Sequence, residues 1–263
     1  MSPIAPSSGI NRRLLLWTLV LLPALCGLLL PATAPAQLVT SSALLPSWND
    51  GPAKQAILDV VRVTTDRSSP NYVSFEDRIA VFDQDGTLWV EHPMYTQVVY
   101  CLERVPAVVA KRPELKNVEP FKTVLSGNRE AMVKLSLRDL EKILAATLTG
   151  MTVEEFNAEA KKWLETARDP RWKRPYTELV YQPMLEVLRY LRDNAYKPYI
   201  VTGGGLDFVR VYAEKVYGIP PEQVVGTAGG TKFGYAKDGK PFLTKDAKLL
   251  LNDTTPASRK GFT

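Results

Sequence analysis

Four apolar residues, Ile79-Ala80-Val81-Phe82, run without interruption into Asp83-Gln84-Asp85-Gly86-Thr87. This is the pattern of a short buried parallel strand that hands its loop to the carboxyl edge of a sheet. A second run, Lys197-Pro198-Tyr199-Ile200-Val201, ends in Thr202-Gly203-Gly204-Gly205 and predicts another strand closed by a glycine turn. Between the two lie mostly helical periods. The clearest span 130–146 and 153–167, the second opened by the capping-box spacing of Thr152 and Glu155. Helical spacing also predicts elements over 52–64 (Ile57, Val60, Val61), 182–194 and 206–217. Residues 223–226 read as a third strand, and 231–242 as a hairpin around Lys237-Asp238-Gly239-Lys240. Strands alternating with helices define an α/β fold with a parallel sheet. Residues 92–180 carry little strand signal and several helical periods.

Residues 1–36 carry a different pattern. Arg12-Arg13 precede an apolar run from Leu14 to Leu30, and Ala34-Pro35-Ala36 offers a small-residue cleavage site before Gln37. The run is near the lower limit for a membrane span and is interrupted by Pro23, which favours a removed signal peptide. The expected location is therefore periplasmic or secreted; left uncleaved, residues 14–30 are an inner-membrane anchor. Leu25 before Cys26 argues against a lipoprotein site.

Composition removes several chemistries. The formal charge is +5, with two of those charges from Arg12 and Arg13, and no Lys/Arg stripe marks a nucleic-acid surface. His92 is the sole histidine, which excludes a multi-histidine zinc site and a phosphohistidine enzyme with a second histidine partner. It follows the acids closely and precedes Pro93, the setting of a surface or hinge residue. Cys26 and Cys101 are the only cysteines, and a mature chain without the leader has no internal disulfide.

The two acids after the first strand are the candidate chemistry. Carboxylates one residue apart at the end of an apolar run are costly to desolvate unless a cation or a proton-transfer role offsets them. A calcium loop needs further oxygen ligands at alternate positions and a late Glu, and residues 87–94 lack that pattern.

Asp83-x-Asp85-Gly86-Thr87 after a hydrophobic strand resembles the first signature of the haloacid dehalogenase superfamily, and its context resembles the phosphoserine-phosphatase-like members. The resemblance implies a Rossmann-like three-layer parallel sheet, built from residues 37–91 and 181–263, with a helical cap, 92–180, inserted after the first strand. It implies that Asp83 attacks phosphorus to form an aspartyl-phosphate. Asp85 is then general acid and base, and Asp83 with the Asp85 backbone carbonyl holds Mg²⁺. Thr202-Gly203-Gly204 matches the second signature, whose hydroxyl and amides hold the phosphoryl group at a helix N-terminus. The implied substrate is a small phosphomonoester. Trp89, Tyr95, Trp163, Trp172 and Tyr176 are candidates to line the cleft, but such spacing more often marks core.

The chain departs from the family at its end. The third signature, a Lys, and the fourth, a strand end whose acids complete the Mg²⁺ shell, are expected after residue 250, and neither is recognisable there. Lys248 and Lys260, or Asp246 and Asp253, are expected to be solvated surface charges rather than substitutes. Restoring one base after the codon for Asp253 rereads the tail with an Asp-Ala-Gly-Lys-Pro stretch. The expectation is therefore a frameshifted, C-terminally truncated copy whose missing strands leave 79–82 as an uncovered apolar edge. Such a chain binds Mg²⁺ weakly and turns over little. A catalytically inactive phosphate-ester-binding fragment is the alternative reading.

Overall fold

The structure, a computed structural model, describes residues 44–251. The leader 1–36 and the tail residues Asp253 and Lys260 lie outside the described residues. Among the described residues no helix is long and apolar enough to cross a membrane.

Four strands form one sheet in the order β1-β2-β3-β4: β1 (Ile79–Phe82), β2 (Lys197–Gly205), β3 (Val224–Tyr235) and β4 (Pro241–Leu251). The first three are parallel neighbours, and β4 returns antiparallel to β3. Six helices intervene between β1 and β2, the first five being α2 (Thr96–Lys111), α3 (Phe121–Leu125), α4 (Arg129–Val133), α5 (Leu137–Leu148) and α6 (Val153–Thr166). Helix α1 (Pro52–Thr65) precedes the sheet and α7 (Gln182–Asp193) leads into β2. Helices α8 (Leu206–Arg210) and α9 (Ala213–Tyr217) connect β2 to β3. The protein is thus α/β, as its strand-helix alternation predicts.

Two apolar clusters hold these layers. Leu58 and Val61 of α1 bury against Val187 and Leu191 of α7, with Ala80 and Phe82 of β1 packed onto them. The larger cluster joins Leu88 and Trp89, the α2 residues Tyr100, Cys101 and Val105, Phe156 of α6, and Phe208 and Tyr212 beyond β2. Side chains of α2 and α6 are further tied by the Arg104–Glu159 ion pair and by Trp163 Nε1 donating to Glu103 at 2.7 Å.

Several expectations need correction. Among the described residues the strand 79–82 lies at the sheet edge, as expected, but it is not buried on both faces, with Ile79 54% and Val81 57% exposed. Only its Ala80 and Phe82 side meets α1 and α7, because helices cover one face of this strand and not the other. The expected helix 130–146 is two helices. Asn128 accepts from Ala131 N to start α4, and Ser136 with Asp139 forms a capping box that starts α5, so a second N-cap interrupts the period. The expected helix 206–217 breaks at Tyr212, whose backbone leaves the helical region while its ring packs on Trp89. The short strand at 223–226 and the hairpin at 231–242 are one continuous β3 paired with a longer β4.

Candidate active site

The register of the sheet brings the two motifs to one edge. Phe82 pairs with Ile200 in the parallel β1–β2 ladder, so Asp83 and Asp85 leave the same carboxyl end as Thr202, Gly203 and Gly204. Open α/β sheets bind ligands at this edge.

After β1 the chain turns tightly. Gly86 has φ +73°, a left-handed conformation that a side chain strains, and its N–H donates to Trp89 O at 2.9 Å. A Cβ there stands 2.7 Å from the Glu91 carboxyl carbon. The turn is pinned further by Val90 N donating to Leu179 O at 3.1 Å and Tyr181 N to Leu88 O at 3.0 Å. Side chains alternate along it. Asp83 is exposed, and its Oδ1 accepts from Gln84 N at 2.7 Å. Gln84 is buried, with Nε2 donating to Tyr217 OH at 2.9 Å.

Asp85 is half-buried, and its Oδ1 accepts from Trp89 Nε1 at 2.7 Å. Burial pushes its carboxyl up to about 6, against the downward pull of the Trp89 hydrogen bond and with help from the charges of Asp83 and Glu91. The same desolvated pocket raises the phenols of Tyr212 and Tyr217, with the Asp85 charge adding to burial. An acid that ionises near neutrality beside an exposed carboxylate is the pairing that proton transfer requires.

The end of β2 is constructed differently. Thr202 is buried, and its Oγ1 accepts from Gly204 N at 3.1 Å. Gly205 N donates at 2.7 Å to Oε1 of Gln97, a residue of α2, and Thr227 Oγ1 donates to Gly203 O at 2.9 Å. Thr202 pairs with Gly226, but the next β3 residue, Thr227, pairs with Gly205, so Gly203 and Gly204 bulge from the ladder. Gly226 makes this turn possible: a Cβ on it stands 2.8 Å from Gly204 O and 3.2 Å from Leu206 N, both backbone atoms.

Other candidates sit elsewhere. His92 is exposed beside Glu91, 3.4 Å away, as a surface residue should be. Trp89 and Tyr176 are core, Trp163 stacks on Tyr176, and Tyr95 and Trp172 are exposed. Asp246 pairs with Lys232 at 3.2 Å on the surface, which holds its carboxyl below the usual range. The sequence reading passed over Lys245. It is buried, paired with Asp207 in the first turn of α8, and lies 4.7 Å from the Phe156 ring. It also passed over Gln97 and Gly226, for which a single sequence carries no signal. Trp89 stands four residues after Asp85, a spacing legible in the sequence.

Among the described residues no three His, Cys, Asp or Glu side chains form a metal cage. The donor set at the β1 end still suits Mg²⁺, which keeps most of its shell as water and phosphate oxygens and takes one or two carboxylates. Asp83 and Asp85 are hard oxygen donors, and among the described residues neither has a cationic partner.

The fold and this edge define an α/β protein with an acid pair and a glycine turn on adjacent parallel strands. The chain belongs to the haloacid dehalogenase-like hydrolases, whose family model matches residues 80–251. A comparison with curated proteins returns no match. Among solved structures, a conserved functionally unknown protein from Anaerococcus prevotii is similar at 14% identity over 75% of this chain and 71% of that one, with a TM-score of 0.42. A phosphoserine phosphohydrolase-like protein from Francisella tularensis is similar at 17% identity over 71% and 74%, TM-score 0.33. Cytosolic 5′-nucleotidase IIIB bound to cytidine is similar at 12% identity over 74% and 58%, TM-score 0.35.

Proposed function

We propose that the chain is a slow, Mg²⁺-dependent phosphomonoester hydrolase acting through an aspartyl-phosphate on Asp83. The observation that carries this reading is the pairing of an exposed Asp83 with a half-buried Asp85 whose carboxyl is pushed up to about 6, at the edge shared with Thr202–Gly205. In the first half-reaction an Asp83 carboxylate oxygen forms a bond to phosphorus, and the bond from phosphorus to the ester oxygen breaks. The departing alkoxide takes the Asp85 proton and leaves as an alcohol. In the second, water gives its proton to Asp85 and its oxygen to phosphorus, and the acyl-phosphate P–O bond breaks to release phosphate and restore Asp83. Thr202 and the amides of Gly203 and Gly204 hold the phosphoryl oxygens, with the Gly204 amide exchanging its Thr202 Oγ1 acceptor for a phosphoryl oxygen. Asp83 and the Asp85 carbonyl would hold Mg²⁺, which would supply charge neutralisation at those oxygens. Export through residues 1–36 belongs to the same proposal.

The test is hydrolysis of p-nitrophenyl phosphate by the full chain and by Asp83→Asn. The expected result is a loss of at least about 10³-fold in the variant and a comparable loss on chelation of Mg²⁺. Turnover that survives the substitution removes Asp83 as nucleophile.

A further inference from the structure

A carboxyl that alternately gives and takes a proton must hold one oxygen toward the reacting group, and an aspartate free to rotate about its side-chain bonds does not do so. The loop after β1 contains a device for this. Trp89 Nε1 lies 2.7 Å from Asp85 Oδ1. Its ring is 1% exposed and stacks on Tyr212 at 4.6 Å and 22°. Its backbone is bridged to Asp85 on one side and to Val180 on the other, and its carbonyl closes the turn on Gly86 N. The indole is therefore fixed from three directions, and the Asp85 side chain hydrogen-bonds to it through Oδ1.

We infer that Trp89 is a positioning residue for Asp85: its indole N–H engages Oδ1 and thereby presents Oδ2 as the oxygen that exchanges the proton with leaving group and water. This rests on the phosphomonoesterase reading above. An indole N–H donates and never accepts, so the oxygen it holds is the one without a proton. Apolar packing explains a large ring at residue 89 but not the nitrogen. Phenylalanine fills most of the same space, stacks on Tyr212 and lacks only the donor. The N–H is thus the atom under test, and it is separable from the ring.

The discriminating measurement is kcat/KM, which covers the steps through departure of the leaving group, for two esters. An alkyl phosphate such as glycerol phosphate needs a proton delivered to its alkoxide. p-Nitrophenyl phosphate expels a stable phenolate without one. Trp89→Phe is expected to lower kcat/KM for the alkyl ester about 10- to 100-fold, in the range by which misplaced acid catalysis is felt. For the aryl ester the expected loss is under about threefold, because that step needs no acid. Equal losses on both esters, or none, overturn the positioning role and leave the phosphatase reading intact. A wild-type chain that hydrolyses neither ester overturns the reading itself and the inference with it.

Should Trp89→Phe fail to fold, the contact is read from the other side. In protein labelled with ¹⁵N at tryptophan, Asp85→Ala is expected to move one indole N–H resonance upfield. Indole resonances that all stay in place overturn the inference.

Discussion

The two strand ends that meet at the candidate site are made from opposite materials. At the end of β1, acids are drawn into a tight loop whose backbone is locked by Gly86, Trp89 and Leu179, and burial turns one of them into a weak acid. The turn that closes β2 carries no charged side chain between Thr202 and Gly205, and the nearest charges, Asp207 and Lys245, neutralise each other. Glycines bulge away from the ladder, and their amides are occupied by movable side-chain acceptors, Thr202 Oγ1 and Gln97 Oε1. The first end stores electrostatic cost in a rigid frame; the second keeps donors in an open, exchangeable one. The proposed phosphoryl transfer would use both, with the reacting acid preset and the glycine turn exchanging its temporary partners for phosphate oxygens. Each end also depends on one glycine, for unlike reasons. Gly86 is required by its left-handed backbone, whereas Gly226 is required by backbone atoms pressing on it from the neighbouring turn.

That contrast ranks the substitutions that test it. Gly226→Ala should have the largest effect on the fold. Its Cβ meets Gly204 O and Leu206 N, which belong to the backbone and cannot swing aside, so overpacking costs about 2–3 kcal/mol. Chemical denaturation reads this, and weakened protection by inorganic phosphate should accompany it. A fully stable Gly226→Ala protein means that the β2 turn yields easily.

Asp85→Asn comes next and is pH-dependent. The folded carboxyl is raised to about 6, so in the folded state its charge is a cost that is present above that pH and disappears below the unfolded value of 3.8. Without Mg²⁺ the substitution should stabilise the chain at pH 7–8 by roughly 2 kcal/mol, with the gain vanishing as pH falls through about 6 toward 4. Thermal melts at pH 4 and pH 8 check the sign. Equal effects at both pH values mean that the acid is not desolvated.

Gly86→Ala should cost least, about 1 kcal/mol for a left-handed alanine. The atoms its Cβ meets belong to the flexible Glu91 side chain, which can rotate away. A loss as large as that of Gly226→Ala would erase the distinction between the two glycines.

Much of this was readable from the chain alone. Ile79–Phe82 with Asp83 and Asp85, and Lys197–Val201 with Thr202–Gly205, are local patterns whose meaning does not depend on the rest of the fold, and both strands formed where the pattern placed them. The helix breaks at Ser136 and Tyr212 were less legible. Ser136 with Asp139 is a capping signal inside an apparent period, and Tyr212 leaves its helix to reach a ring far away in sequence. Exposure of β1 was foreseen as an apolar edge, yet its burial on one face by Ala80 and Phe82 alone required the positions of α1 and α7.

The order of polar and apolar residues determined which side chains sit at the two strand ends, because strand and turn propensities act over a few neighbouring residues. It also determined the α/β class, while the hydrolase family was legible in the Asp83-x-Asp85-Gly86-Thr87 motif. Tertiary structure alone decided how those side chains behave. Gln97 reaches Gly205 across 108 residues, Gly226 admits the bulge of β2, and Tyr212 backs the Trp89 ring that holds Asp85. The acidity of Asp85 follows from that packing. Desolvation depends on every atom that excludes water from the carboxyl, and most of those atoms come from parts of the chain far from it in sequence.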